Sequence, residues 1–260
     1  MIYVDMDLPA GALLPDSAPA QHVADSYADF GGISLNAADL LDDCGDLSHW
    51  PDTQGDHSAR PAAPNTGNAR IGSAHGVSVL CLKQGQNCGF ALEDILLSNA
   101  MCSMAVLFVS TADPAGTLLT LNPRAGRDYL FLAAAEGQLT LKFRDGDDPL
   151  VFSVHSTAPA TPSAAFTLAC ATVKGSDMTL AVNDHKPMQL TGTSALQAGA
   201  HDLFIGCRSD RAGITKTLGA AQIARVWLWP DRNIFDETTH AALTEAWRGN
   251  ASALLPQAGT

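Results

Sequence analysis

The sequence predicts an all-β protein, an antiparallel β-sandwich with a C-terminal helix and an extended N-terminal arm. Three observations predict it. From Val77 onward, short apolar or alternating runs recur every 8–14 residues or so, separated by turn residues. The links between them are short, and no strand–helix–strand spacing occurs, which excludes parallel α/β folds. Composition agrees: 46% apolar and 16% charged residues in 260 belong to a folded chain. All-β sandwiches of about 200–250 residues commonly form one domain, so length forces no split.

The elements follow in order. Residues 1–30 carry Pro9, Pro15 and Pro19 with little periodicity and read as an arm, either lying on the domain or docking onto a neighbouring subunit. The domain proper is 31–260. ISLNAADLLDDC suits one short helix with Asn36 as N-cap. The stretch from Trp50 to Gly72 is read as turn throughout, because Pro51, Gly55, Pro61, Pro64 and Gly67 punctuate it. Strands are expected at 77–83, 101–110, 116–122, 128–134, 138–144, 150–156, 164–173, 178–182, 187–190, 202–207 and 221–229. Glu136-Gly137 reads as a hairpin turn. In the strand after it Leu139, Leu141 and Phe143 share one face, and Gln138, Thr140, Lys142 and Arg144 share the other. Trp227 and Trp229 are expected to share a face with Ile223 and Arg225, opposite Val226 and Leu228. The helix is expected from Asp236 to Arg248, capped by Asp236, striped by Ala242, Leu243, Ala246 and Trp247, and ended by Gly249.

Charge and cysteines bound the function. With 15 Lys+Arg against 27 Asp+Glu the net charge is −12, which disfavours nucleic acid and anionic lipid as partners. No apolar run is long enough to span a membrane. The N-terminus lacks the basic and apolar regions of a signal peptide, so synthesis in the cytoplasm is expected, with display on an assembled particle left open. The six cysteines form no C-x-x-C pair and are read as reduced, structural thiols, a Cys88–Cys102 bridge being the only exception entertained.

Residues 77–247 resemble the concanavalin A-like lectin/glucanase superfamily, in its laminin G-like and pentraxin-like branch. AVLFVSTADPAGTLLTLN resembles the family's early strand pair, and TLACATVKGSDMTLAVNDHKPM its hallmark pair with a tight Asn/Asp/Gly turn. DLFIGCRSDRAG resembles its L-x-I-G strand and glycine-bearing loop. IARVWLWPDRNIFDETTHAAL resembles its closing strand and acid-capped terminal helix, and WPDTQGDHSARPAAP the Trp-x-Asp-x-x-Gly loop near the start. One departure is Ala224, where the family often carries an acidic residue after the first Ile. The resemblance implies a jelly roll and a glycan or cell surface as partner.

Catalytic motifs are sparse. Family glucanases use a Glu-x-Asp-x-x-Glu strand, whose carboxylates serve as nucleophile and general acid. Here the only glutamates are Glu93, Glu136, Glu237 and Glu245, none in such a run. The family's lyases carry Gln-x-His and Tyr-x-Lys strands; Gln222-Ile223-Ala224 lacks the His, and no Tyr-x-Lys exists. Asp145, Asp147 and Asp148 offer oxygen ligands for calcium, against the alternative of a hydrated hairpin tip; no other cofactor is expected. His49, Asp52, Asp56 and His57 cluster around Trp50, where turn capping competes with metal binding. Ligand contacts are assigned to Arg124, Arg127 and Tyr129 on the NPRAGRDY loop, and to Trp50, since sugars are held by aromatic faces and planar polar groups. Three functions remain open: a non-catalytic lectin-like module, possible on a phage-type fibre, spike or tail; a polysaccharide-degrading enzyme of the same superfamily; and a purely structural, oligomeric building block.

Overall fold

The computed structural model describes residues 32–43, 45–53, 55–74, 76–109, 116–145, 149–153, 166–183, 185–208 and 217–235. The N-terminal arm and the C-terminal helix expected from sequence lie outside the described residues. So do Cys44, Asp147 and Asp148.

Among the described residues seventeen strands make two antiparallel sheets. They are β1 Ile33–Asn36, β2 Leu41–Asp43, β3 Asp46–Pro51, β4 Ser58–Pro61, β5 Arg70–Ala74, β6 Val77–Cys81, β7 Phe90–Leu97, β8 Met101–Val109 and β9 Gly116–Pro123. The series continues with β10 Leu130–Ala135, β11 Gln138–Phe143, β12 Leu150–Ser153, β13 Phe166–Lys174, β14 Asp177–Val182, β15 Met188–Thr191, β16 Gly199–Ile205 and β17 Gln222–Pro230. Sheet I runs β15-β14-β13-β8-β17-β6-β5, with β1 also paired to β17. Sheet II runs β12-β11-β10-β9-β16-β7-β4-β3-β2.

One apolar core joins the two sheets. Leu80, Val106, Leu180 and Val226 enter it from sheet I, and Leu92, Leu119, Leu132 and Leu203 from sheet II. Each sheet therefore buries one face against the other, as in a sandwich. The alternation in β11 holds: Leu139, Leu141 and Phe143 are buried, while Gln138 is exposed and Thr140 and Lys142 half-buried. The expected turn at Glu136-Gly137 joins β10 and β11, with Ala135 opposite Gln138. Both turn residues have positive φ, 51° and 72°, the twist a two-residue hairpin requires.

Three expectations need correction. The stretch read as pure turn contains β4 and most of β5. β4 makes two short pairings, Trp50↔Ala59 with Pro51↔Ser58 to β3 and Arg60↔Ala91 with Pro61↔Phe90 to β7, so both prolines sit at strand ends, where a missing N–H is tolerated. The helix capped by Asn36 is a single 3₁₀ turn, Ala37–Asp39. Asn36 does cap it, its Oδ1 accepting from Ala38 N at 3.1 Å, but Leu40 is already extended and Leu41 begins β2. The register of β17 against β8 shifts between Ile223 and Arg225. Across this bulge Ile223 turns inward with Val226 and Leu228, while Ala224 joins Trp227 and Trp229 on the outer face. The reading of the cysteines as reduced thiols holds for Cys81, Cys88, Cys102 and Cys170, so Cys88 and Cys102 form no bridge. Burial pushes the Cys170 thiol up to about 12, so it stays protonated and inert.

Strand β7 is one the sequence reading lacked. Its inward residues are Phe90, Leu92, Ile95 and Leu97, and the parity change between Leu92 and Ile95 hides the period of two. Opposite, β16 skips from Leu203 to His201, so Glu93 and Asp94 face one residue. This bulge puts Asp94 at φ 62°.

The turn between β7 and β8 is held by the end of β17. The Asp231 carboxylate accepts from Ser98 N and Asn99 N, both at 2.7 Å. Partial desolvation pushes this carboxyl up, but the amides of Asn99 and Ser98 together outweigh it and hold it below its usual 3.8. A carboxyl whose folded pKa is depressed contributes stability above its unfolded pKa and loses it as pH falls through the folded value. Asp231→Asn is therefore expected to lower the denaturation midpoint at pH 7 and to blunt the acid destabilisation below about pH 4. Urea titrations across that range check this. Glu136→Asn, which suits positive φ better, is expected to stabilise by roughly 1 kcal/mol with unchanged denaturant slope.

Candidate functional site

The residues assigned to ligand contact go to different places. Trp50 is wholly buried. Its Nε1 donates to Asn36 O at 2.7 Å, and its ring meets Phe90 edge-on at 5.7 Å. It offers no face to a ligand, which corrects the expectation. Asp52 beside it is also buried and accepts from Ser34 N at 2.8 Å, the capping alternative for this cluster. The Trp-x-Asp-x-x-Gly segment is thus a clamp that fastens β3 to β1. Among the described residues no group of three His, Cys, Asp or Glu side chains is placed to hold a metal.

Arg124 is exposed but engaged. Its Nε donates to Asp202 Oδ1 at 2.9 Å, its Nη1 pairs with Asp94, and Glu93 lies at 3.9 Å from Nη2. Asp202 also accepts from Asp94 N at 3.0 Å. These groups close the β7 bulge, so Arg124 is a positioning residue for the fold. Arg127 is exposed on the loop. Tyr129 is half-buried, 6.2 Å from the Phe131 ring, with the Arg144 guanidinium carbon 5.8 Å from its own ring centre. Glu93 and Asp94 do not make an acid–nucleophile pair, because both face Arg124.

A groove of about 400 Å³ lies on the outer face of sheet I, which sequence reasoning missed. The strand period builds its floor. Ser103 lies between the inward residues Cys102 and Met104, Thr172 between Ala171 and Val173, and Thr179 between Met178 and Leu180. All three hydroxyls therefore point outward. Register aligns them across the sheet: Trp229, Ser103, Thr172, Thr179 and Gln189 are successive partners on β17, β8, β13, β14 and β15. The next row carries Lys174, Asp177 and Thr191, with Thr191 Oγ1 donating to Asp177 Oδ1 at 2.6 Å. Asn233 closes one side. Alternate threonines in apolar strands were visible in sequence, but only register makes them a row.

The buried end of this row is fixed by Ser103. Its Oγ lies 2.6 Å from Thr172 Oγ1, donates to Arg232 O at 2.5 Å and accepts from Ile234 N at 3.2 Å. One donor and two acceptor sites are all used. The outer end, with Gln189, Thr191, Lys174 and Asn233, is exposed. It presents hydroxyl, amide, ammonium and carboxylate groups to solvent, a set able both to donate to and to accept from a polyhydroxylated ligand.

No protein-family model matches this chain. No curated protein matches it either. Solved structures do. Domain 4 of AbnA, a GH43 extracellular arabinanase from Geobacillus stearothermophilus solved with arabinotriose, is 13% identical with a TM-score of 0.53, over 83% of this chain and 97% of that domain. The botulinum neurotoxin serotype D binding domain is 13% identical at 0.50, over 87% of this chain and 52% of its own. Trypanosoma rangeli sialidase is 12% identical at 0.51, over 83% and 32%. The chain thus spans nearly all of the first but about half and a third of the other two. At this identity the likeness is one of all-β fold.

Ser103→Ala leaves the buried Ile234 amide and the part-buried Arg232 carbonyl without their partner. It is expected to cost about 1–3 kcal/mol in chemical denaturation, and Thr172→Val less, because Thr172 has one partner there rather than three.

Proposed function

We propose that this chain is a non-catalytic, lectin-like module of the concanavalin A-like, jelly-roll type that binds a glycan. The observation that carries this reading is the groove on sheet I: a row of hydroxyl and amide groups at the strand spacing of about 4.8 Å, open at its Gln189 end. A sugar chain offers matching alternations of donor and acceptor. The fold likeness to a domain solved with arabinotriose supports the reading by analogy only. Arg127 and Tyr129 are proposed as accessory contacts at the other sheet. Hydrolysis is the weaker reading, because Glu93 faces Arg124 and Glu136 occupies a hairpin turn. Display on a larger assembly through residues 1–30 belongs to the same proposal.

A glycan array with the full chain tests the reading, and no carbohydrate captured overturns it. Gln189→Ala and Thr179→Val are each expected to weaken the captured glycan roughly 2–10-fold, the worth of one neutral hydrogen bond, with an unchanged melting temperature. Assembly is tested by sizing the full chain against one starting at Ile33, with a smaller particle expected for the latter.

A further inference from the structure

We propose that the outer face of sheet II carries a second site, built on Arg208, that takes the carboxylate or sulfate of an acidic polysaccharide. It rests on the glycan-binding reading for its polymer and on its own geometry for the anion.

Arg208 is held on two sides. Its guanidinium carbon lies 3.8 Å from the centre of the Phe131 ring, a stacking distance, and its Nε donates to Thr117 Oγ1 at 3.1 Å. Thr117 and Phe131 are themselves buried, so this cradle is rigid. With the ring under one face and Nε occupied, the two terminal nitrogens remain as a fork of fixed direction on a half-buried side chain. Such a fork recognises carboxylate or sulfate by two parallel charge-assisted hydrogen bonds, and the ordering entropy is already lost before the ligand arrives. Among the described residues no carboxylate lies within ion-pair distance of Arg208 or of Lys142.

Register supplies the surroundings. Lys142 on β11 is the direct partner of Phe131, and it projects outward between the buried Leu141 and Phe143. The row continues through Thr120, Phe204 and Ala91 to Arg60, and the row beside it holds Val151, Thr140, Ala133 and Thr117. Neither row contains an acidic side chain, on a protein whose net charge is −12. The Debye length is about 8 Å at physiological salt, so charges on this face act on a bound anion more strongly than charges farther away than that. Thr140 adds a hydroxyl on the same face. Thr117, Thr120, Phe204 and Ala91 are buried, so the groups of these rows that reach solvent beside Arg208 are Lys142 and Thr140, with Arg60 at the far end; a polymer is chosen over an acidic peptide on the glycan-binding reading.

The test uses the full chain and three oligosaccharides of equal length: a polygalacturonate, a sulfated galactan and a neutral galactan, titrated by calorimetry at 50 and 300 mM salt. Expected is binding of at least one charged oligomer, weakened tenfold or more by Arg208→Gln and several-fold by Lys142→Gln, with Arg208→Lys recovering little of the loss. The preferred charged oligomer distinguishes carboxylate from sulfate. Lys142→Gln removes only a half-exposed charge and keeps the test valid if Arg208→Gln unfolds. Equal binding of all three, untouched by the substitutions, overturns the anion site and leaves glycan binding standing. Charged binding that falls with salt but ignores both substitutions also overturns it. Binding of none overturns the anion site, and failure of the glycan array as well removes the reading beneath it.

Discussion

The apolar core shared by the two sheets constrains everything else. Each sheet has one face that must avoid water, and inward leucines such as Leu92, Leu119, Leu132 and Leu141 can do so only against the other sheet. Because side chains alternate, committing these residues inward fixes which of their neighbours face outward. The hydroxyls of Ser103, Thr172 and Thr179, and the charges of Lys142 and Arg208's cradle, are placed by this parity rather than by any local preference. Function on this fold is therefore written in the residues that the core leaves over.

Bulges are where the parity rule is broken and re-set. At Asp94 the bulge keeps Phe90 and Leu92 inward on one side and Ile95 and Leu97 inward on the other. At Ala224 another does the same for Ile223 and Val226, and sends Trp227 and Trp229 to the outer face. Each inserted residue leaves a local backbone irregularity to be satisfied. At the first bulge Asp202 accepts from Asp94 N, and Arg124 neutralises the acids gathered there. These contacts are exposed, so their net stabilisation is small; their effect is to hold one register against its one-residue alternatives.

Much of the fold was legible in the sequence for the same reason. Strands with unbroken alternation, β11 above all, declare both their type and their inner face. The Glu136-Gly137 and Lys174–Asp177 turns fix antiparallel neighbours by their length. Legibility ends where a signal is shared between two structures. The bulged β7 lacks a single period, and β4 is four residues long and ends on Pro61, between turn residues on both sides. Asn36 caps a turn truly enough, but a cap says where a helix begins and nothing about how soon β2 will claim the chain. Sites are harder still. Trp50 has the chemistry of a sugar platform and the position of a core residue, and only burial distinguishes them. The groove on sheet I is lined from β13, β14 and β15 and closed by Asn233, residues that only strand register and the fold bring together.

Two arginines make the distinction clearest. Arg124 and Arg208 are chemically identical, and each follows a strand of sheet II, β9 and β16. Arg124 meets Asp94, Asp202 and Glu93 because a bulge turns those acids toward it. Its charge is spent within the fold, and a ligand anion would have to displace carboxylates that already hold it. Arg208 meets a ring and a hydroxyl, which orient a guanidinium without neutralising it. Among the described residues no carboxylate pairs with Arg208, which in an acidic protein is the exception, since abundant carboxylates make pairing easy. Partner chemistry rather than residue type thus separates an arginine that holds the fold from one available to a ligand.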